Sequence, residues 1–148
     1  MKQTPEITIL LVDDSRTIRH QIKSILAKRG FRILEAENGS AAIRIAHREK
    51  PDIALMDVQM PLMNGFQCCA QMKSDPDLKH IRVIMVTSEN GYANLSQAYK
   101  MGCNDYINKP VVETELLEKL NKVVRFVRIA RTAKNTISEK RKRLETDD

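Results

Sequence analysis

Ile7-Thr8-Ile9-Leu10-Leu11-Val12-Asp13-Asp14-Ser15 decides how the rest of the chain is read. Six residues of mostly branched apolar side chains run without polar alternation, the mark of a strand covered on both faces. Two carboxylates stop the run, and Ser15 can cap the helix that follows. Such a strand needs partners of the same kind. Arg32 to Ala36, Ile53-Ala54-Leu55-Met56-Asp57, Val83-Ile84-Met85-Val86-Thr87 and Asp105 to Asn108 supply them.

The intervening stretches have helical spacing. Ile18, Ile22, Ile25 and Leu26 form one apolar face, and Gly30 stops that helix. After an Asn38-Gly39 turn, Ser40 to Glu49 carries Ile43 and Ala46 inward, and Pro51 ends it. Beyond a loop from Pro61 to Gly65, Phe66, Cys69 and Ala70 mark a third helix that stops near Asp75-Pro76. Leu95, Ala98 and Tyr99 mark a weaker fourth. Glu113 opens the last helix, with Leu116, Leu120, Val123 and Val127 on one face. Strands alternating with helices predict an α/β fold, a doubly wound parallel sheet of five strands with five helices on its two faces. The last helix is expected to outrun the domain and then fray, because beyond Ile129 only Ile137 and Leu144 are large and apolar. Residues 1–127 would form the domain and residues 128–148 a basic, polar helical extension or linker.

Composition narrows the function. The chain has 148 residues, 42% hydrophobic and 30% charged, enough for one core and too few for two ordinary domains. Its net charge of +6 invites a nucleic-acid reading. From Asn121 onward, however, there are nine Lys/Arg against four Asp/Glu, whereas Met1 to Leu120 has sixteen against fifteen. The body is thus nearly neutral, which is poor support for a nucleic-acid-binding fold. No aromatic residue follows Phe126, so base stacking by the extension is not expected. Cys68, Cys69 and Cys103 match neither a disulfide framework nor a zinc spacing, and Cys68 and Cys69 lie about 100° apart on a helix, so at most one is expected to face the core fully. No apolar run approaches a membrane span or a signal peptide, and a cytoplasmic protein is the expectation.

Ligands of open parallel sheets bind beyond the carboxyl ends of the strands. Asp13 and Asp14, Asp57, Thr87 and Ser88, and Lys109-Pro110 all fall there. Separately, each has an ordinary reading: helix caps for Asp13 and Asp14, a turn residue for Asp57, a strand-end hydroxyl for Thr87 and a solvated surface cation for Lys109. Together, three carboxylates would repel one another unless a hard cation relieved them, and oxygen-only ligands favour Mg²⁺. A lysine and a hydroxyl beside them suit phosphoryl oxygens. The set describes phosphoryl transfer with a carboxylate as nucleophile.

Val12-Asp13-Asp14-Ser15, Leu55-Met56-Asp57-Val58-Gln59-Met60-Pro61, Val86-Thr87-Ser88 and Lys109-Pro110 resemble, in order and spacing, the receiver domain of bacterial two-component response regulators. The resemblance spans about Ile7 to Val127. It implies a flavodoxin-like sheet of order 2-1-3-4-5. It implies Asp57 as phosphoacceptor, Asp13 and Asp14 as Mg²⁺ ligands together with Asp57 and the backbone carbonyl of Gln59, Lys109 and Thr87 as phosphoryl-binding groups, and a cis Lys109-Pro110 peptide. Thr87 and Tyr106 would form the switch, and Gln59 and Glu89 would tune the lifetime of the phosphoryl group. The implied donor is a sensor histidine kinase or phosphotransfer protein. A target, or a second copy on phosphorylation, would dock on the face made by the fourth helix, the fifth strand and the last helix, around Leu95, Tyr99 and Tyr106.

Such a chain would be a switch rather than an enzyme, catalysing only its own phosphotransfer and dephosphorylation. Asn64, Leu62 and Val111 stand where Asp, Gly and Phe are frequent in the family. Two rival readings are a nucleic-acid-binding module acting through the basic extension and a pseudo-receiver scaffold that is never phosphorylated; the intact acidic set weighs against the second.

Overall fold

The computed structural model describes residues 6–88 and 92–146. Ten elements alternate: β1 Thr8–Val12, α1 Arg16–Ala27, β2 Arg32–Ala36, α2 Gly39–Glu49, β3 Ile53–Asp57, α3 Gly65–Ser74, β4 Arg82–Thr87, α4 Tyr92–Lys100, β5 Asp105–Asn108 and α5 Glu113–Thr146. The five strands form one parallel sheet in the order β2-β1-β3-β4-β5. This is the flavodoxin-like topology that the family resemblance implies.

The unbroken apolar runs are explained by the two faces of the sheet. Successive side chains point to opposite sides. Leu10, Val12, Ala54, Met56, Val83 and Met85 join one core with residues of α2, α3 and α4. Ile9, Leu11, Ile53, Leu55, Ile84 and Val86 join a second core with α1 and α5. The first core is rich in alanine and thiols; the second is almost wholly Ile, Leu and Val.

Side chains close the helix ends. The Ser15 hydroxyl accepts from the Ile18 N–H at 3.3 Å, and Asn38 Oδ1 from the Ala41 N–H at 2.8 Å. Asn64 and Gln67 exchange bonds, each backbone N–H donating to the other's side chain at 2.9 Å. This capping box satisfies two donors of the first turn of α3 and gives Asn64 a structural role.

Two expectations need correction. Cys68 and Cys69 are both fully buried. Helix α3 is covered on two sides, with the Cys68 thiol directed to the Gly39 carbonyl at 3.8 Å and the Cys69 thiol to the Met101 carbonyl at 3.4 Å. In α2, Ala46 is fully buried together with Ala42, and Ile43 packs partly buried against the same core, so the inward face is the one the spacing predicts. Helix α5 does not fray within its polar stretch but continues through 34 residues to Thr146. One anchor lies beyond the apolar face: Arg131 pairs with Asp52 at 2.8 and 2.9 Å to its two carboxylate oxygens. Asp52 is itself fixed, accepting the Thr8 N–H at 2.9 Å on its carboxylate and the Arg82 N–H at 3.0 Å on its carbonyl.

Gly65 positions the loop after β3. A Cβ there would lie 2.3 Å from the Asp57 carbonyl oxygen and 3.0 Å from Val58 Cα, both backbone atoms. The Gly65 N–H also donates to the Val58 carbonyl at 2.8 Å. Gly65→Ala must therefore push α3 from the end of β3. Urea denaturation should show a loss of about 2 kcal/mol, the range of an overpacked core site; an unchanged midpoint would contradict this packing.

Candidate functional site

The parallel sheet aims the ends of β1, β3, β4 and β5 at one edge, and the residues singled out from the sequence meet there. Asp13 follows β1, Asp57 ends β3, Thr87 ends β4, and Lys109 follows β5 through a cis peptide to Pro110. Asp13, Asp57 and Thr87 are buried, whereas Asp14 is exposed. Asp13, Asp14 and Asp57 each present a carboxylate oxygen within 4.8 Å of the others.

Lys109 holds the cluster together. Its Nζ lies 3.2 Å from Asp13 Oδ2 and 3.2 Å from Asp57 Oδ1. The backbone supports both ends of this bridge. The Lys109 N–H donates to the Thr87 carbonyl at 2.7 Å, so β4 fixes where the lysine leaves the sheet. The Gln59 N–H donates to Asp57 Oδ1 at 3.3 Å, and the Ser15 N–H to Asp13 Oδ1 at 2.8 Å.

Charge and burial oppose each other here. Burial raises the Asp57 pKa above the ordinary carboxylate value, and neighbouring Asp13 raises it further; Lys109 and the Gln59 N–H pull back. For Lys109, burial alone would lower the pKa, but Asp57 and Asp13 together outweigh it and hold the ammonium charged to higher pH than usual. The three thiols are the opposite of reactive. Burial pushes Cys68 up to about 12, Cys69 to about 11 and Cys103 to about 12, which suits structural thiols and no redox role.

Tyr106 sits beside this edge on β5, partly buried. Its ring meets that of Tyr99 on α4 edge-on, centroids 6.4 Å apart. The Lys119 ammonium of α5 lies 4.2 Å from the Tyr106 ring centroid. Lys119 also donates to the Tyr106 carbonyl and pairs with Asp105 at 3.4 Å. Lys119 and Arg19 were not singled out from the sequence. Arg19 donates to the Asp13 carbonyl at 2.6 Å and pairs with Glu35 at 3.2 Å. Its position four residues after the Ser15 cap, on the turn that faces back toward the strand end, was the available signal; Lys119 carried none. Glu89 lies outside the described residues, and the side chain of Leu95 is likewise not described.

Three carboxylates with oxygen donors only, one of them exposed, fit a hard divalent cation such as Mg²⁺ better than zinc or copper. The lysine and threonine beside them supply donors for anionic oxygens.

Comparison with known proteins bears on the same residues. The profile described as response regulator receiver domain matches residues 9–121. Protein PilH of Pseudomonas aeruginosa is 40% identical over 116 residues, 78% of this chain and 96% of that protein. Response regulator PleD of Caulobacter vibrioides is 33% identical over 118 residues, 80% of this chain but only 26% of PleD. Among solved structures, chemotaxis protein CheY4 of Vibrio cholerae superposes with a TM-score of 0.77 at 27% identity, covering 80% of this chain and 99% of that one.

The raised Asp57 pKa has a consequence for stability. The folded chain keeps Asp57 protonated to higher pH than the unfolded chain does, so its ionised form opposes folding at neutral pH, and this penalty vanishes below the unfolded value of about 3.9. Asp57→Asn should therefore raise the thermal midpoint at pH 7, with a gain that shrinks as pH falls toward 4. A midpoint lowered at pH 7, or a gain independent of pH, would contradict the electrostatic account.

Proposed function

The chain belongs to the response regulator receiver domain family of two-component signalling, and from that premise we propose that it is a phosphorylation-controlled switch whose phosphoacceptor is Asp57. The observation that supports this most is the Lys109 ammonium 3.2 Å from both Asp57 and Asp13, a cation already placed beside the acceptor carboxylate at the mouth of the sheet.

In the transfer, a carboxylate oxygen of Asp57 attacks phosphorus. The new O–P bond forms as the P–N bond of a phosphohistidine, or the P–O bond of a small acyl phosphate, breaks and the donor leaves. Lys109 meets charge on the phosphoryl oxygens, in place of its contact with Asp57. Thr87 binds an oxygen of the product. Bound Mg²⁺ would neutralise phosphoryl charge; Asp13, Asp14 and Asp57 would hold it, with the Gln59 carbonyl as a further ligand. Gln59, exposed two residues after Asp57, would influence hydrolysis with Glu89.

The phosphoryl group brings roughly two negative charges to Asp57. Movement of Thr87 toward it would free space for the Tyr106 ring, which is only partly buried and in edge contact with Tyr99. The surface of α4, β5 and α5 would change with it, and a target or second copy would read that surface. Residues 1–127 would carry this switch and residues 128–148 an extension beyond it. The donor would be a sensor histidine kinase or phosphotransfer protein.

Incubation with acetyl phosphate and Mg²⁺, followed by intact mass measurement, should show one added phosphoryl group on wild-type protein and none on Asp57→Asn. Lys109→Met should slow the gain by roughly a hundredfold, the scale of losing one preorganised charge-stabilising donor. An adduct on Asp57→Asn as abundant as on wild type would overturn the assignment.

A further inference from the structure

Helix α5 carries two apolar faces, and the sheet uses only one of them. Leu116, Leu120, Val123, Val124 and Val127 are buried against the domain. Phe126, Ile129, Ile137 and Leu144 are exposed, at 57%, 64%, 56% and 71%. With Ala130 and Ala133 between them, at about 100° per residue they fall within one arc of about 100°, turned roughly 120° from the buried face. The stripe runs from Phe126 to Leu144, about 27 Å. Phe126, Ala130, Ala133, Ile137, Lys140 and Leu144 follow alternating steps of four and three, the seam of a helix that packs along another helix.

Two features select the occupant. The first is charge. Between residues 128 and 146 there are seven Lys/Arg and two Glu. Lys134 and Arg141 border the stripe on one side, Arg143 on the other, and Lys140 lies within it. A second copy would bring a helix of the same positive net charge against this one. The second is shape. The stripe is narrow, and alanines at its centre let a facing backbone approach closely, unlike the broad, bulky face of a helix lying in a membrane surface.

The base of the stripe is anchored to the domain. Arg131, on the domain side of the helix, bonds both carboxylate oxygens of Asp52, and the Arg82 guanidinium stacks 5.6 Å from the Phe126 ring centre. Helix α5 continues unbroken from these anchors to Thr146, so the stripe is helical along its length.

We propose that residues 126–144 of α5 form a docking surface for an acidic amphipathic helix of a partner protein. Leucine-type side chains of that helix fill the seam over Ala130 and Ala133, and its flanking carboxylates pair with Lys134, Arg141 and Arg143. This surface is independent of the phosphoacceptor reading, since none of its residues touches the acidic site.

The test uses the full chain and a labelled synthetic peptide of three heptads, with Leu at both seam positions and Glu at the flanking ones. Fluorescence anisotropy should show saturable binding that weakens as salt rises. Ile137→Asp, or replacement of the peptide's Glu by Gln, should weaken it about tenfold. Asn135→Asp makes the same charge change on the opposite side of the helix and should shift affinity by no more than about twofold. Circular dichroism shows whether each variant keeps its helix. Equal binding by Ile137→Asp and wild type overturns the proposal. So does a dimer of the free chain, seen by sedimentation, that Ile137→Asp dissolves, because the stripe then belongs to a second copy. Tighter binding to phosphatidylglycerol vesicles than to the peptide also overturns it.

Discussion

One lysine between two buried carboxylates is the constraint on which the rest of this molecule depends. Asp13 and Asp57 are nearly removed from water, a costly place for two like charges, and Lys109 meets both. These residues lie far apart in sequence. Only a parallel sheet with β1 and β3 adjacent, and β4 and β5 following, brings their strand ends to one edge. The crossover helices are the means of that arrangement. The backbone tie from Lys109 to the Thr87 carbonyl and the bond from Gln59 to Asp57 then set the lysine and the Asp57 carboxylate to within a single hydrogen bond of each other.

The same arrangement makes the site sensitive to charge. An anion brought to this edge would meet the Lys109 ammonium, which is already engaged with Asp13 and Asp57. Thr87 and Tyr106 lie on the neighbouring strands β4 and β5, where Thr87 pairs with Asn108 and Met85 with Tyr106. Lys119 anchors Tyr106 from the last helix, touching its ring and its carbonyl. Tyr99, Tyr106 and Lys119 thus join α4, β5 and α5 close to the end of β4. Gly65 shows how little room this leaves, since even one methyl group would press on the carbonyl of Asp57.

Much of this was legible in the sequence. Two-sided burial of a parallel strand writes itself as an unbroken apolar run, so Ile7 to Val12 and Ile53 to Asp57 announced their places. Charged groups stopping those runs announced the site, because strand ends are where the polar edge begins. What was hidden depends on contacts between distant segments. The burial of both Cys68 and Cys69 follows from α3 being covered on two sides, which no periodicity reveals. The continuation of α5 past its apolar face, and the Arg131 bridge to Asp52 beyond it, join residues 79 positions apart. In the sequence Asn64 is only a departure from a family pattern; its part in a capping box with Gln67 is a matter of geometry.

A charge placed on Asp57 should be felt at a distant surface, and beryllofluoride with Mg²⁺, which stands in for the phosphoryl group, makes this observable. Amide chemical shifts of the uniformly labelled chain should move at Asp57, Thr87 and Lys109, and then continue through Tyr106 to Lys119 on α5. Asp57→Asn should show none of these changes. Shifts that stop at the acidic edge in wild-type protein, leaving Tyr106 and Lys119 unmoved, would contradict the account.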